Sequence, residues 1–392
     1  MDEPIYLDHN ATAPLLPAVA DAIRDASLRF PGNPGSQHEA GRKARRALEE
    51  ARERIGQLLG ARLDGQKPDR VFFTSGGTEA NNLALLGLLG GSRADGTIPG
   101  RLAISAIEHP SVAEPANQLE SSCWQVDRIG VDSNGVMLLD ELEQVLQPMT
   151  RLVSLMLGNN ETGVLQPLAE ASTLCAEHGV LLHSDAAQVV GKLPVDFAGL
   201  NLAMMSCAAH KFNGPRGIGA LIVRDDVAIR PTMFGGHQQA DVRPGTESIA
   251  LAVGMCTALE CWHRESDVRR KRLTELRDSL ENAILAELPT AIAIGRDAPR
   301  LPNTANIAFT GFDRQALVMA LDMAGVACST GSACASGSSE PSPTLTAMGL
   351  EKAAAEGSVR LSLGATTTKP EIDEATRRIL LVCKRLQQSR NR

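Results

Sequence analysis

Aromatic side chains are scarce: 8 Phe, 2 Trp and 1 Tyr make up 3% of a 392-residue chain. Basic charge is also short, with 39 Lys and Arg against 46 Asp and Glu and a net charge of -7. That balance argues against nucleic acid as a general partner, because phosphate backbones need a basic face. No apolar run reaches transmembrane length, so no membrane partner is expected. The opening MDEPIYLDHNATAP has neither a basic n-region nor an apolar h-region, and the expectation is a cytoplasmic protein. The 8 cysteines include no CxxC pair. This excludes a disulfide framework and a zinc site, and it predicts reduced thiols and no bound metal.

Apolar residues are plentiful, at 43%. The chain is longer than one hydrophobic core supports, which predicts two domains. Short apolar runs alternate with helical patterns. Strands are expected at Arg70–Thr74, Leu102–Ser105, Leu152–Leu157, Val180–His183, Leu202–Ser206 and Gly219–Val223. Helical patterns include Gly41–Leu59, Glu79–Leu89, Leu138–Val145 and Pro167–His178. This alternation predicts an α/β fold with a mostly parallel, doubly wound sheet. Beyond Ile249 the pattern changes to one long helix, Ala252–Leu285, with a break expected near His263. Strands Thr304–Phe309 and Ser358–Ser362 and helices Gln315–Met323 and Ile372–Gln388 follow, as in a smaller α+β domain.

Three segments stand out chemically. Thr74-Ser75-Gly76-Gly77-Thr78-Glu79 follows a strand and opens a helix. Its glycines admit an anion to free N–H groups, and Thr78 adds a hydroxyl. Alone, it reads equally as an ordinary strand–helix turn. Asp185 follows the run Val180–His183, where open α/β sheets place ligands, although alone it reads as an N-cap. Lys211, in AHKFNGPRGIGA, sits among small residues and a glycine–proline turn. A desolvated amine there suits a Schiff base, although most single lysines are surface groups. Together they supply a phosphate anchor, a carboxylate for a pyridinium nitrogen and an amine for an aldehyde, which is what pyridoxal phosphate (PLP) requires.

At this point the chain resembles the class V group of fold-type-I PLP enzymes, and within it the NifS/IscS-like cysteine desulfurases. The resemblance rests on YLDHNATAP (6–14), GNPGSQH (32–38), FTSGGTEANN (73–82), IEHPSV (107–112) and NNETGVLQP (159–167). It continues through HSDAAQ (183–188), AHKFNGPRGIGA (209–220), RPGTES (243–248), GSACASGSSEPS (331–342) and VRLSLG (359–364). It implies a large PLP-binding domain, 16–258, and a smaller one built from 1–15 and 259–392. By resemblance, Lys211 holds the cofactor and moves the substrate Cα proton, and Asp185 keeps the pyridinium protonated. Gln188 bonds the phenolic oxygen, and His109 stacks on the ring and assists acid–base work. Gly77 and Thr78 hold the phosphate with His210 nearby, and Thr246 reaches it from a second subunit, so a homodimer is implied. Asn160 and Arg360 take the substrate carboxylate.

Cys334, in a Ser/Gly-rich loop, is the implied nucleophile. It would accept sulfur from L-cysteine as a persulfide, release L-alanine and pass the sulfur to an acceptor protein in iron–sulfur assembly or tRNA thiolation. Cys328 closes an apolar run and reads as structural. One position departs from the family: Ala208 stands where Ser or Thr usually binds the phosphate. That costs about 0.5–3 kcal/mol of cofactor affinity unless a group such as Ser206 or a water compensates. Ala13 is a smaller departure. A selenocysteine lyase, a class V transaminase and a non-catalytic sulfur carrier are the competing readings.

Overall fold

The computed structural model describes residues 4–90, 100–331 and 342–390. Its strands are β1 (Ile5–Tyr6), β2 (Arg70–Thr74), β3 (Arg101–Ser105), β4 (Gln125–Ile129), β5 (Thr150–Ser154), β6 (Leu181–Asp185), β7 (Met204–Ala208), β8 (Gly219–Val223), β9 (Ala291–Ala293), β10 (Thr304–Phe309), β11 (Val326–Ala327) and β12 (Ser358–Ser362). Strands β2 to β8 form one seven-stranded sheet in the order β2-β8-β7-β6-β5-β3-β4. Within it β8 runs antiparallel to both neighbours, and the other strands share one direction.

Side chains alternate between the two faces of this sheet, as the pleat requires. Phe73, Ala103, Val153, Leu182, Met205 and Ile222 enter a core shared with helices Glu39–Leu58 and Leu168–Glu177 and the start of Ile249–Glu287. Phe72, Leu102, Leu152, Met204 and Leu221 enter a second core beneath helices Gly77–Leu89 and Pro110–Ser121. With both faces covered, the strands are apolar almost throughout, as the sequence pattern implied. The exception is β4, QVDRI, an edge strand with only Ile129 buried. It offers no apolar run, and the sequence reading passed over it.

A third core surrounds the antiparallel sheet β12-β10-β9 and takes in Ile5 and Leu7 from the N-terminal segment. The helix Ile249–Glu287 joins the cores: Ala252, Met255 and Leu259 pack in the first, and Leu273, Leu276, Leu280 and Ile284 in the third. It runs unbroken over 39 residues, so the break expected near His263 is corrected. Its charged second half is a solvated face supported by pairs such as Arg269–Glu265, 2.8 Å apart at i,i+4.

Where this helix meets the segment after β9, Arg300 grips Glu281 in a two-armed contact of 2.7 and 3.0 Å. The two side chains are 4% and 0% exposed. Removing one partner strands a buried charge. Arg300→Met should therefore lower unfolding stability by roughly 3–5 kcal/mol in urea titrations. Adding Glu281→Met should recover much of that loss. A double variant no better than the single would contradict this account of the pair.

Candidate active site

The parallel strands deliver their carboxyl ends to one cleft, the position open α/β sheets give to ligands. Gly77 and Thr78 follow β2, His109 follows β3, and Asn160 follows β5. Asp185 ends β6 with Gln188 just beyond, and Ala208 ends β7 ahead of His210 and Lys211. All nine line one cavity of about 290 Å³, closed by Asn10 and Ala11 from the N-terminal segment and by Arg360 from β12. That volume is near the lower end for small-molecule sites.

Two glycines make this convergence sterically possible. A Cβ on Gly219 would lie 2.6 Å from the Cys207 carbonyl oxygen and 2.7 Å from the Gly76 backbone, so β8 passes close beneath the phosphate-type turn. Gly191 has φ +74°, and a Cβ there would come within 2.1 Å of Phe212. The turn after Gln188 can thus pack against the Lys211 segment.

Asp185 is 7% exposed. It accepts hydrogen bonds from Asn81 Nδ2 at 2.7 Å and from the Ala187 N–H at 2.9 Å. Asn81 Nδ2 also donates to Ser111 Oγ at 2.8 Å, and that hydroxyl lies 2.7 Å from His109 Nδ1. The Ser111 N–H also donates to His109 Nδ1, at 3.1 Å. Two donors on one ring nitrogen leave the proton of the neutral imidazole on Nε2. Burial pushes the His109 pKa below its ordinary value; Asp185 raises it and Lys211 lowers it. The ring is thus held neutral and in one tautomer.

The Lys211 amine donates to the carbonyls of Asn10 and Ala11, at 2.7 and 2.9 Å. His210 Nδ1 lies 3.2 Å from Thr12 Oγ1, and burial, followed by Lys211, Arg216 and Lys192, takes its pKa down to about 4. Gln188 donates to the Asn10 carbonyl at 3.1 Å. Arg360 is 1% exposed. It pairs with Asp8 at 2.7 Å, donates to the Asn160 carbonyl at 3.0 Å, and its buried Nε has no partner among the described residues. A cavity-lining guanidinium with an unsatisfied donor suits a carboxylate ligand.

These residues fit a phosphate-bearing aldehyde cofactor. The helix Gly77–Leu89 opens at the cavity with Gly76 as its cap and no capping side chain, so its first N–H groups and Thr78 can receive a phosphate. Ala208 lines the same place with a methyl group. Ser206 cannot stand in for the missing hydroxyl, which corrects the sequence expectation. It is fully buried inside the sheet, where its Oγ lies 2.9 Å from His183 Nε2.

Thr246 lies outside this cavity and is solvent-exposed. Cys334 falls outside the described residues. Cys328 is partly buried, and its thiol is pushed up to about 12, first by burial. Sequence reasoning did not single out Asn10, Asn81, Ser111 or Asp8. All four stand within motifs it quoted, but an amide, a hydroxyl or a carboxylate there announces no particular chemistry until its partners are known.

The family description Aminotransferase class-V matches residues 5–374. An IscS-like cysteine desulfurase of Mycobacterium tuberculosis is 44% identical, with 94% of each chain covered. The cysteine desulfurase NifS of Azotobacter vinelandii is 38% identical over 96% of this chain and 91% of its own. Among solved structures, a NifS-like protein from Rickettsia africae superposes with a TM-score of 0.87 at 30% identity, covering 97% of this chain and 100% of that one.

His183 yields a pH prediction. It is fully buried between Ser154 Oγ at 2.8 Å and Ser206 Oγ at 2.9 Å, and burial takes its pKa from 6.5 to about 4, with Asp185 opposing. It stays neutral in the fold and gains a proton on unfolding. Its contribution to stability is therefore full above pH 6.5 and is lost as the pH falls through about 4. In urea titrations across this window, His183→Gln should show a slope shallower than wild type by roughly 1.4 kcal/mol per pH unit. An unchanged slope would count against a neutral buried imidazole. By fold, motifs and full-length similarity, this chain belongs to the class-V aminotransferase family, in its group of IscS- and NifS-like cysteine desulfurases.

Proposed function

We propose that this protein is a PLP-dependent cysteine desulfurase that moves sulfur from L-cysteine to Cys334 and on to an acceptor protein. The observation that carries this reading is one cavity holding the Lys211 amine, the buried Asp185 carboxylate, the neutral His109 ring and the Arg360 guanidinium. The full-length similarity to cysteine desulfurases supports the choice of substrate.

Gly77, Thr78 and His210 would hold the cofactor phosphate, Asp185 its ring nitrogen, Gln188 its phenolic oxygen and Lys211 its aldehyde. When bound, PLP supplies an electron sink for charge developed at the substrate α-carbon. The chain's own residues do the rest. Arg360, braced by Asp8, holds the substrate carboxylate with Asn160 beside it. Lys211 takes the proton from Cα, and His109 packs over the site as a flat neighbour in a cavity whose described lining holds no Phe, Tyr or Trp. The Cys334 thiolate then attacks the substrate sulfur. An S–S bond forms, the C–S bond breaks, its electron pair passes to the carbon fragment, and that fragment leaves protonated as L-alanine.

A division into a cofactor domain, 16–258, and a smaller domain of 1–15 and 259–392 is supported by the first and third cores, while a further cluster packs Ile107, Val131 and Met156 of the one against Ile294, Ala308 and Leu345 of the other. A homodimer belongs to the same reading, with Thr246 completing the partner subunit's phosphate site. Thr246 shares an exposed segment with Phe234, 87% exposed, and Met233, 50% exposed. Burying such side chains is what an interface does. A cytoplasmic location accords with the described cysteines, which are all free thiols.

Two experiments test the reading. After incubation with L-cysteine, intact-mass analysis should find the protein heavier by one sulfur atom, with L-alanine formed and no keto acid required. Cys334→Ser should still bind cofactor and cysteine but carry no added sulfur. Alanine formation that depends on a keto acid would favour a transaminase, and turnover confined to selenocysteine would favour a lyase. Separately, Ala208→Ser should tighten PLP retention about threefold to a hundredfold in dialysis against apoenzyme, as expected for one regained hydrogen bond to a charged phosphate. No change would mean that the phosphate does not touch this position.

A further inference from the structure

Behind the cavity floor lies a lysine that the scheme above leaves unused. Lys192 is 8% exposed. Its Nζ donates to Gln188 Oε1 at 2.6 Å and to Asn10 Oδ1 at 3.0 Å. No carboxylate pairs with it among the described residues. Burial first, and then the nearby Lys211 and Arg360, hold its pKa well below that of an ordinary lysine. A buried amine held by two side-chain amides, with no counter-ion, is costly to maintain. It is the kind of feature a fold keeps for what it positions.

What it positions is readable from the hydrogen bonds. Gln188 is a primary amide, with an accepting oxygen at one corner and a donating NH₂ at the other. Lys192 holds the oxygen, so the NH₂ faces the other way. One of its hydrogens goes to the Asn10 carbonyl at 3.1 Å, which reinforces the same orientation. The second is left for the cavity that Gln188 lines. The Asn10 side chain is fixed as firmly. Its Oδ1 also accepts from Asn303 at 3.1 Å, and its Nδ2 donates to Thr304 Oγ1 at 2.9 Å and to the Asn160 carbonyl at 3.2 Å. The same Asn10 carbonyl that receives Gln188 also receives Lys211. Lys192 thus joins the groups that hold Gln188 to the groups that hold Lys211.

We propose that Lys192 is a positioning residue that locks the Gln188 amide with its donor facing the cofactor, so that Gln188 gives a hydrogen bond to the cofactor's phenolic oxygen and cannot offer it an acceptor. This rests on the reading of the cavity as a PLP site. A donor on that oxygen makes the proton responsible for the visible absorption of bound cofactor easier to lose. Without the lock the amide can rotate, and the donor is lost for part of the time or replaced by a repelling oxygen.

The test is a pH titration of the visible absorption band of purified, PLP-loaded enzyme, in wild type, Lys192→Met, Gln188→Ala and the double variant. Lys192→Met should raise the midpoint by about one pH unit, the scale of one hydrogen bond to a charged oxygen. Gln188→Ala should raise it comparably. In the Gln188→Ala background, Lys192→Met should add almost nothing, because its route to the cofactor is gone. An unmoved midpoint in Lys192→Met, or shifts that simply add in the double variant, would overturn the proposal. If Lys192→Met does not fold, Lys192→Gln replaces it: it keeps a polar group but not the amine that reaches both amides, and it should raise the midpoint in the same direction. A wild type with no visible band would instead overturn the PLP reading itself, so the two failures are distinguishable.

Discussion

The site depends on how a buried cluster of basic side chains is held in place largely by neutral oxygens. Lys211, Lys192 and Arg360 converge where the N-terminal segment crosses the cleft, and that segment supplies much of what they bind. The Asn10 and Ala11 carbonyls take Lys211, Asn10 Oδ1 takes Lys192, and Asp8 takes Arg360. Neutral oxygens satisfy the two lysines, and of the three only Arg360 meets a carboxylate. The cavity is left attractive to anions, which is what a phosphate ester and an amino-acid carboxylate require.

This arrangement also ties the cores together. β1 pairs in parallel with β11, Leu7 belongs to the core around β10 and β12, and Asn10 bonds to Ser362 and Thr304 there. A few residues further on, the Ala13 N–H donates to the His210 carbonyl beside Lys211. A short strand and the loop after it thereby fix the spacing between the amine at the end of the large sheet and the guanidinium on β12. On the opposite wall, the chain from Asp185 through Asn81 and Ser111 to His109 fixes a tautomer rather than a distance.

Much of this was legible beforehand, for identifiable reasons. Strands covered on both faces write themselves as apolar runs, and β2, β8, β10 and β12 fall where those runs were read. β4 was invisible because its exposed edge needs no apolar pattern. The long helix was read with a break near His263, and its continuity follows from the two cores that it joins, which the sequence does not display. In the site, Lys211 and Asp185 were identifiable by type and place taken together with the glycine-rich turn, and Arg360 only through the family resemblance. Asn10, Asn81 and Lys192 were not, because their importance lies in partners far away in the chain. Ser206 misled for the same reason: a hydroxyl two residues from the expected position points, in a strand, to the same side as Ala208, yet its place one turn of the pleat deeper puts it against His183 rather than in the cavity.

The central claim is that the amine of residue 211 is the one that meets the cofactor aldehyde. Borohydride reduction of the PLP-loaded protein, followed by peptide mapping by mass spectrometry, tests it most directly. The account predicts a single stable pyridoxyl phosphate adduct, on the peptide containing Lys211. An adduct spread over surface lysines, located on Lys192, or absent altogether would contradict it.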